Sequence, residues 1–142
     1  MKKVLIINAN YYNQISKNLV SSASKILKSH KFKIKIIDVP GVFEIPYTLR
    51  KNINKFDGYL ALGCVIKGET PHFDFICRST FDSILNISIK HSKPISNGII
   101  TAFNMAQAKK RSSIVIRSSK SNKGVEAAKA LITIIKNEPK NL

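Results

Sequence analysis

The apolar positions of this chain follow two rhythms, short unbroken runs and longer stretches with helical spacing, and the two alternate along it. Lys3 to Asn8 contains Val4-Leu-Ile-Ile7 without a polar interruption, and Tyr59 to Ile66 is a second such run. A strand apolar at every position has to be covered on both faces, as parallel strands in α/β proteins are. Tyr59–Ile66 is therefore expected to be a central strand. Phe32 to Asp38 begins as an alternating strand, and Pro94 to Ala102 makes a fourth. Between these runs, Ile15, Leu19, Ala23 and Ile26 recur at helical spacing up to His30. Phe43 to Leu49 opens a second helix with Pro46 in its first turn, and Phe73, Cys77, Thr80, Ile84 and Ile87 trace one face of a long helix ending near His91. The last quarter predicts two helical pieces, Asn104 to Arg111 and Asn122 to Lys136, the second with Val125, Ala128, Ile132 and Ile135 on one face. Ser112 to Ser119, between them, fits a helix poorly, and Asn137 to Leu142 predicts a frayed tail.

The order β-α-β-α-β-α-β-α-α, with right-handed crossovers, leaves few topologies. It predicts one domain over residues 1–142, a flavodoxin-like three-layer α/β/α sandwich with a four-stranded parallel sheet. A chain of 142 residues can bury a core of ordinary size, removing roughly 70% of its unfolded surface from water. Repeats and low-complexity segments are absent.

In such a sheet, ligands bind outside the carboxyl ends of the strands, so the loops carry the chemistry. After the central strand, Lys67-Gly68-Glu69 is expected to turn the chain, Thr70 to cap, Pro71 to take the first helical position and His72 to fall in the first turn. Free N–H groups and the positive end of a helix would let an anion sit on Gly68 to Thr70. His72 would stand beside it, able to give and take a proton near neutrality. Proline capping with a surface histidine is the bland reading of the same residues. Tyr12, at the carboxyl end of the first strand, can stack on a ligand ring or pack on its own helix. Glu44 either favours a helix dipole or faces the crevice and accepts from hydroxyls. Lys123-Gly124, at the start of the last helix, is a second anion-friendly position. His30 and His91 fall near helix ends, where an imidazolium complements the dipole, and both are expected at the surface.

Charge changes this picture less than its size suggests. Lys and Arg number 24 against 8 Asp and Glu, a formal charge of +16, which raises nucleic acid, an acidic surface or anionic substrates as partners. Yet the lysines are spread through every segment, without a basic tail or an aromatic-interleaved stripe. Cys64 and Cys77 have neither zinc-ligand nor CxxC spacing and are expected to be buried thiols, with no metal site. The apolar runs are too short to span a bilayer, and Met1-Lys-Lys leads straight into a strand; a cytoplasmic protein is expected, with no membrane partner. A phosphorylated receiver domain is disfavoured because its acidic positions are asparagines and Gly63-Cys64 here. A flavodoxin is disfavoured because Asn8 to Asn13 has no glycine.

Four segments together carry a resemblance. Val39-Pro-Gly-Val-Phe-Glu-Ile-Pro46, Gly63-Cys-Val-Ile-Lys-Gly-Glu-Thr-Pro-His-Phe-Asp74, Pro94-Ile-Ser-Asn-Gly98 and Asn122-Lys-Gly-Val-Glu-Ala-Ala128 resemble, in order, the signature segments of the 6,7-dimethyl-8-ribityllumazine synthase family. The resemblance implies a transferase of riboflavin biosynthesis. Such an enzyme condenses 5-amino-6-(D-ribitylamino)uracil with 3,4-dihydroxy-2-butanone 4-phosphate, and needs no metal or organic cofactor. It also implies roles. Tyr12 would lie against the pyrimidine, Val42, Phe43 and Glu44 along the ribityl chain, and Val65, Ile66 and Lys67 would offer backbone groups to the ring. Gly68, Glu69 and Thr70 would bind phosphate, and His72 would move protons. Asn97 would come from a neighbouring subunit of a homo-oligomer, a pentamer, a pair of pentamers or a sixty-subunit shell.

The chain departs from the family's pattern in one region. Gln107-Ala-Lys-Lys-Arg111 matches, but the linker from Ser112 to Ser121 is longer and holds a second candidate, Arg117; Arg111 with Lys123 is taken as the phosphate pair. The family's usual glutamate before Gln107 is Ala106. The rival reading is a basic α/β module that binds nucleic acid without catalysis, set against small-molecule substrates and no nucleic acid.

Overall fold

The computed structural model describes residues 1–118 and 120–139; Ser119, within the stretch expected not to be helical, and residues 140–142 of the expected frayed tail lie outside the described residues. Four strands alternate with helices: β1 Lys3–Ala9, α1 Asn13–Ser29, β2 Lys33–Val39, a 3₁₀ turn Val42–Glu44, α2 Ile45–Lys51, β3 Gly58–Ile66, α3 His72–His91, β4 Ile95–Ala102, α4 Met105–Lys110 and α5 Lys123–Lys136. All pairings are parallel, in the order β2-β1-β3-β4. The expected three-layer sandwich is therefore observed.

Alternation along β1 divides the core into two. Val4 and Ile6 face Leu19, Ala23 and Leu27 of α1 and Leu131 and Ile132 of α5, while Leu5 and Ile7 face Ile45 and Leu49 of α2 and Ile84 of α3. In β3, every residue from Gly58 to Cys64 is buried, as its unbroken apolar run requires. β2 is an edge strand, with Lys33 and Lys35 exposed along it, a device that discourages edge-to-edge pairing. Asn104 and Asn122 cap α4 and α5, accepting from the N–H groups of Gln107 and Val125.

The connections after β1 and β3 leave the sheet on opposite faces, α1 on one and α3 on the other. Adjacent strands with diverging connections open a crevice at their carboxyl ends. Its depth depends on Gly63: a Cβ there would stand 2.9 Å from Val42 Cγ1 and 3.0 Å from Ala9 Cβ. Only a glycine lets the Val42 turn and the end of β1 close on β3.

Several expectations are corrected. The second helix is preceded by a 3₁₀ turn over Val42–Glu44 and begins at Ile45, leaving Phe43 two-thirds exposed. Thr70 does not cap α3; Pro71 stands at the cap position, without a side-chain cap bond, and His72 is the first helical residue. Cys77 is half-buried, not buried like Cys64. His91 is half-buried, its Nε2 without a partner among the described residues. Loss of solvation pushes its pKa below the ordinary value, and Arg50 and Lys90 push in the same direction. Both effects oppose the imidazolium expected at this helix end.

Gly63→Val is expected to destabilise the fold by about 1–3 kcal/mol through overpacking against Val42 and Ala9. Gly68→Ala is the control, since its Cβ meets nothing within 4 Å and no glycine of the described chain has positive φ. Urea denaturation midpoints should fall for the first and hold or rise for the second.

Candidate active site

At the carboxyl ends of β1 and β3 lies a cleft of about 540 Å³. Its walls come from the β1–α1 loop, the 3₁₀ turn, the end of β3 and the first turn of α3. Tyr12, Val42, Phe43, Val65, Ile66 and His72, separated by up to sixty positions in sequence, meet there. Tyr11, Gly41, Cys64 and Ile76 also line it and were not foreseen. Ile76 was legible in principle, four residues after His72 and hence on the same helix face. Tyr11 was as good an aromatic candidate as its neighbour, and the two rings meet edge to face at 5.0 Å.

Each wall has a physical basis. Tyr12 is half-buried, and burial raises its phenol pKa, with the neighbouring Cys64 and Tyr11 adding, so the ring is neutral near pH 7. Pairing of β3 with β1 ends at Leu62, opposite Asn8, whereas β3 runs on to Ile66 beside β4. On the β1 side, the stretch of β3 from Gly63 on thus has no paired strand residue, and its last residues, Cys64 to Ile66, line the cleft. Lys67 is different, because its N–H already donates to the Ala102 carbonyl at 2.9 Å and its ammonium lies 5.5 Å from the Phe103 ring centre. Glu44 does not line the cleft itself, but its Oε1 would be 3.3 Å from a Cβ on Gly41, which does. The carboxylate thus folds over the cleft's rim.

Gly68, Glu69 and Thr70 are exposed between the end of β3 and α3. Because no side chain caps α3, the N–H groups of its first turn lack acceptors and carry the positive end of the dipole, offset in part by Asp74. An anion has donors there. His72 is exposed at the same helix start and reaches the cleft.

The remaining site candidates are elsewhere. Asn97, Arg111 and Lys123 line a separate cavity of about 150 Å³, with Phe81, Ile99, Ile100 and Thr101. No lining residue is common to that cavity and the cleft, so one chain presents the candidates as two groups. Arg111 and Lys123 share one carboxylate: the guanidinium is 3.3 Å from Glu126 Oε2 and the ammonium 3.8 Å from its Oε1. Glu126, a residue the sequence did not mark for this place, keeps two like charges together. Arg111 also donates to the Lys120 carbonyl at 3.1 Å. Arg117 does not reach this cavity; it lines a larger groove of about 1000 Å³ with Lys109, Lys110, Arg111 and Lys120. The basic residues that look scattered in sequence are here gathered in space. Among the described residues no group of three or more His, Cys, Asp or Glu could hold a metal, and no helix is long and apolar enough to cross a membrane.

A parallel α/β sheet with its crevice at diverging strand ends, beside an uncapped helix start and a histidine, is the layout of α/β proteins that bind small molecules at their strand ends. The family model for 6,7-dimethyl-8-ribityllumazine synthase matches residues 1–138. The chain is 38% identical over 138 residues to the 6,7-dimethyl-8-ribityllumazine synthase of Campylobacter jejuni subsp. doylei, covering 94% of this chain and 87% of that protein. To the Campylobacter curvus synthase it is 38% identical, over 99% and 90%, and to that of Limosilactobacillus reuteri 36%, over 92% and 85%. The chain belongs to the 6,7-dimethyl-8-ribityllumazine synthase family, as its four segments imply.

Cys64 lines the cleft, but its burial disfavours the thiolate. Burial pushes its thiol pKa up to about 12, from 9.0 for a free thiol, so the thiolate fraction near pH 8 falls by about 10³. Iodoacetamide at pH 8 is expected to leave Cys64 unmodified in the folded protein and to label it on denaturation, as peptide mass mapping would record.

Proposed function

We propose that this protein condenses 5-amino-6-(D-ribitylamino)uracil with 3,4-dihydroxy-2-butanone 4-phosphate, releasing phosphate and water and closing the ring of 6,7-dimethyl-8-ribityllumazine. The observation that carries this reading is the cleft between β1 and β3, which joins an aromatic wall, open strand peptides and His72 in a chain of this family. Tyr12 lies along the pyrimidine, and the open peptides at Val65 and Ile66 read its polar edge. Val42 and Phe43 flank the ribityl chain, with Glu44 accepting from its hydroxyls. The phosphate ester sits on Gly68, Glu69 and Thr70 at the start of α3, where Arg111 and Lys123 complete its neutralisation. The whole chain, residues 1–142, acts as one such domain, in the cytoplasm, a setting in keeping with its two unpaired cysteines.

Chemistry then needs little beyond positioning and proton transfer. The uracil's amine adds to the butanone carbonyl and water leaves to give an imine. Loss of phosphate follows, and a second amine addition with dehydration closes the ring. His72 carries protons between these steps, and the cations hold the departing phosphate. No step calls on a metal or an organic cofactor.

The two separated residue groups favour assembly of the site from two chains: Asn97, Arg111 and Lys123 of one subunit meeting the cleft of the next. Exposed Phe43, Tyr47, Phe75 and Ile89, each more than 65% accessible, supply apolar surface for such contacts. We therefore propose a pentamer or a multiple of pentamers. The rival reading, a nucleic-acid module, has the basic groove in its favour, but among the described residues that groove has no aromatic on which a base could stack.

Purified protein given both substrates should form the fluorescent lumazine, and absence of product from assembled, folded protein would overturn the reading. His72→Ala should lower kcat by about 10²-fold or less, because proximity supplies much of the catalysis, with KM little changed. Unaltered kcat from pH 6 to 8 would return His72 to a surface helix start. Light scattering at micromolar concentration should give a mass five times that of the chain, or a multiple of it; a monomer mass would count against the shared site.

A further inference from the structure

We propose that the groove lined by Lys109, Lys110, Arg117 and Lys120 is a capture site for the phosphorylated substrate, delivering the dianion to Arg111. This inference rests on the function proposed above and names a part of the molecule that the function does not itself require.

Two facts of geometry carry it. The groove, of about 1000 Å³, and the small cavity holding Asn97, Arg111 and Lys123 share two lining residues, Thr101 and Arg111. Arg111 therefore stands at the junction, presented to both spaces. In addition, the groove's described lining has five cationic side chains, Arg111 included, and no carboxylate. The ion pairs found among the described residues join Glu126 to Arg111 and to Lys123, at the cavity end. Charge is partly offset where the phosphate is to be held, with one carboxylate between two cations, and left without a carboxylate along the approach. Serines 113, 118 and 121 and Gln107 complete the polar lining, which suits a hydrated ion in transit.

The physical effect is enrichment. A groove of one sign of charge over low-dielectric walls focuses the field and raises the local concentration of an oppositely charged solute, by 10 to 10³ in favourable cases. The two substrates differ in the property that matters, since the butanone phosphate is a dianion near neutrality and the ribitylaminouracil is uncharged. The groove acts on one of them only. Where chemistry is slow compared with dissociation, enrichment appears in KM and not in kcat.

The test is a triple variant, Lys109→Gln/Lys110→Gln/Lys120→Gln, of side chains given no part in the reaction. At about 0.15 M ionic strength KM for the phosphorylated substrate should rise roughly threefold, and at about 0.01 M roughly tenfold, because screening mutes the wild-type advantage. KM for the uracil and kcat should not move, and the triple Lys→Arg variant should behave as wild type. An unchanged KM for the butanone phosphate at low salt overturns the proposal, as does an equal rise for the uracil. Calorimetric titration with inorganic phosphate, comparing wild type with the Gln variant, reads the groove without turnover. If wild-type protein made no lumazine, the function reading would fall, and equal phosphate affinities in the two proteins would separately dispose of the groove.

Discussion

A strand buried at every position from Gly58 to Cys64 must have a helix layer on each face, and that requirement organises the molecule. α5 lies over β3 so closely that a Cβ on Gly58 would be 2.8 Å from Ile135 Cδ1. On the other face the Val42 turn rests against Gly63. With both faces covered, the remaining exit for β3 is along its axis. The chain leaves past the last residues paired to β1, and the peptides it leaves open form one side of the cleft. Core and site are consequences of the same burial, which is why a glycine deep in the sheet governs a surface several residues away.

Much of this was legible because the relevant signals are local. Unbroken apolarity at Val4–Ile7 and Tyr59–Ile66 marked the covered strands, and helical spacing at Ile15, Leu19 and Ala23 marked the face of α1 that is buried. The two last helices were placed within a residue at their starts, where Asn104 and Asn122 cap them. What failed was also local in origin. Thr70 has the right side chain for a cap, but the chain enters α3 one residue later, through Pro71. The Phe43 turn has a helix-like composition, yet three residues of 3₁₀ structure precede α2. Whether a helix begins with one turn geometry or another is decided by packing, here against Gly63, which no window of sequence contains.

Relations across the fold were not legible at all. Nothing in the order of residues says that Glu126 faces both Arg111 and Lys123, since the first pair spans fifteen positions and joins different helical segments. The basic residues of 109 to 120 read as part of an even scatter, because spacing along a chain says little about convergence in a loop that folds back on itself. In that loop, an antiparallel bridge between Ser112 and Asn122 closes the segment, and its Arg117 and Lys120 line one groove with Lys109 and Lys110 of α4. The four motif segments succeeded where single residues did not because each carries its own loop geometry with it.

The unequal lengths of β1 and β3 have a further consequence. Beyond Leu62 one edge of β3 has no strand of the sheet beside it, and its peptides are left to whatever polar and flat group occupies the cleft. A heterocycle lying there would do for that edge what another strand residue does elsewhere. Substrate would then be, in effect, a temporary extension of the sheet, and the slowest amide protons at the tip of β3 would be those of the occupied enzyme.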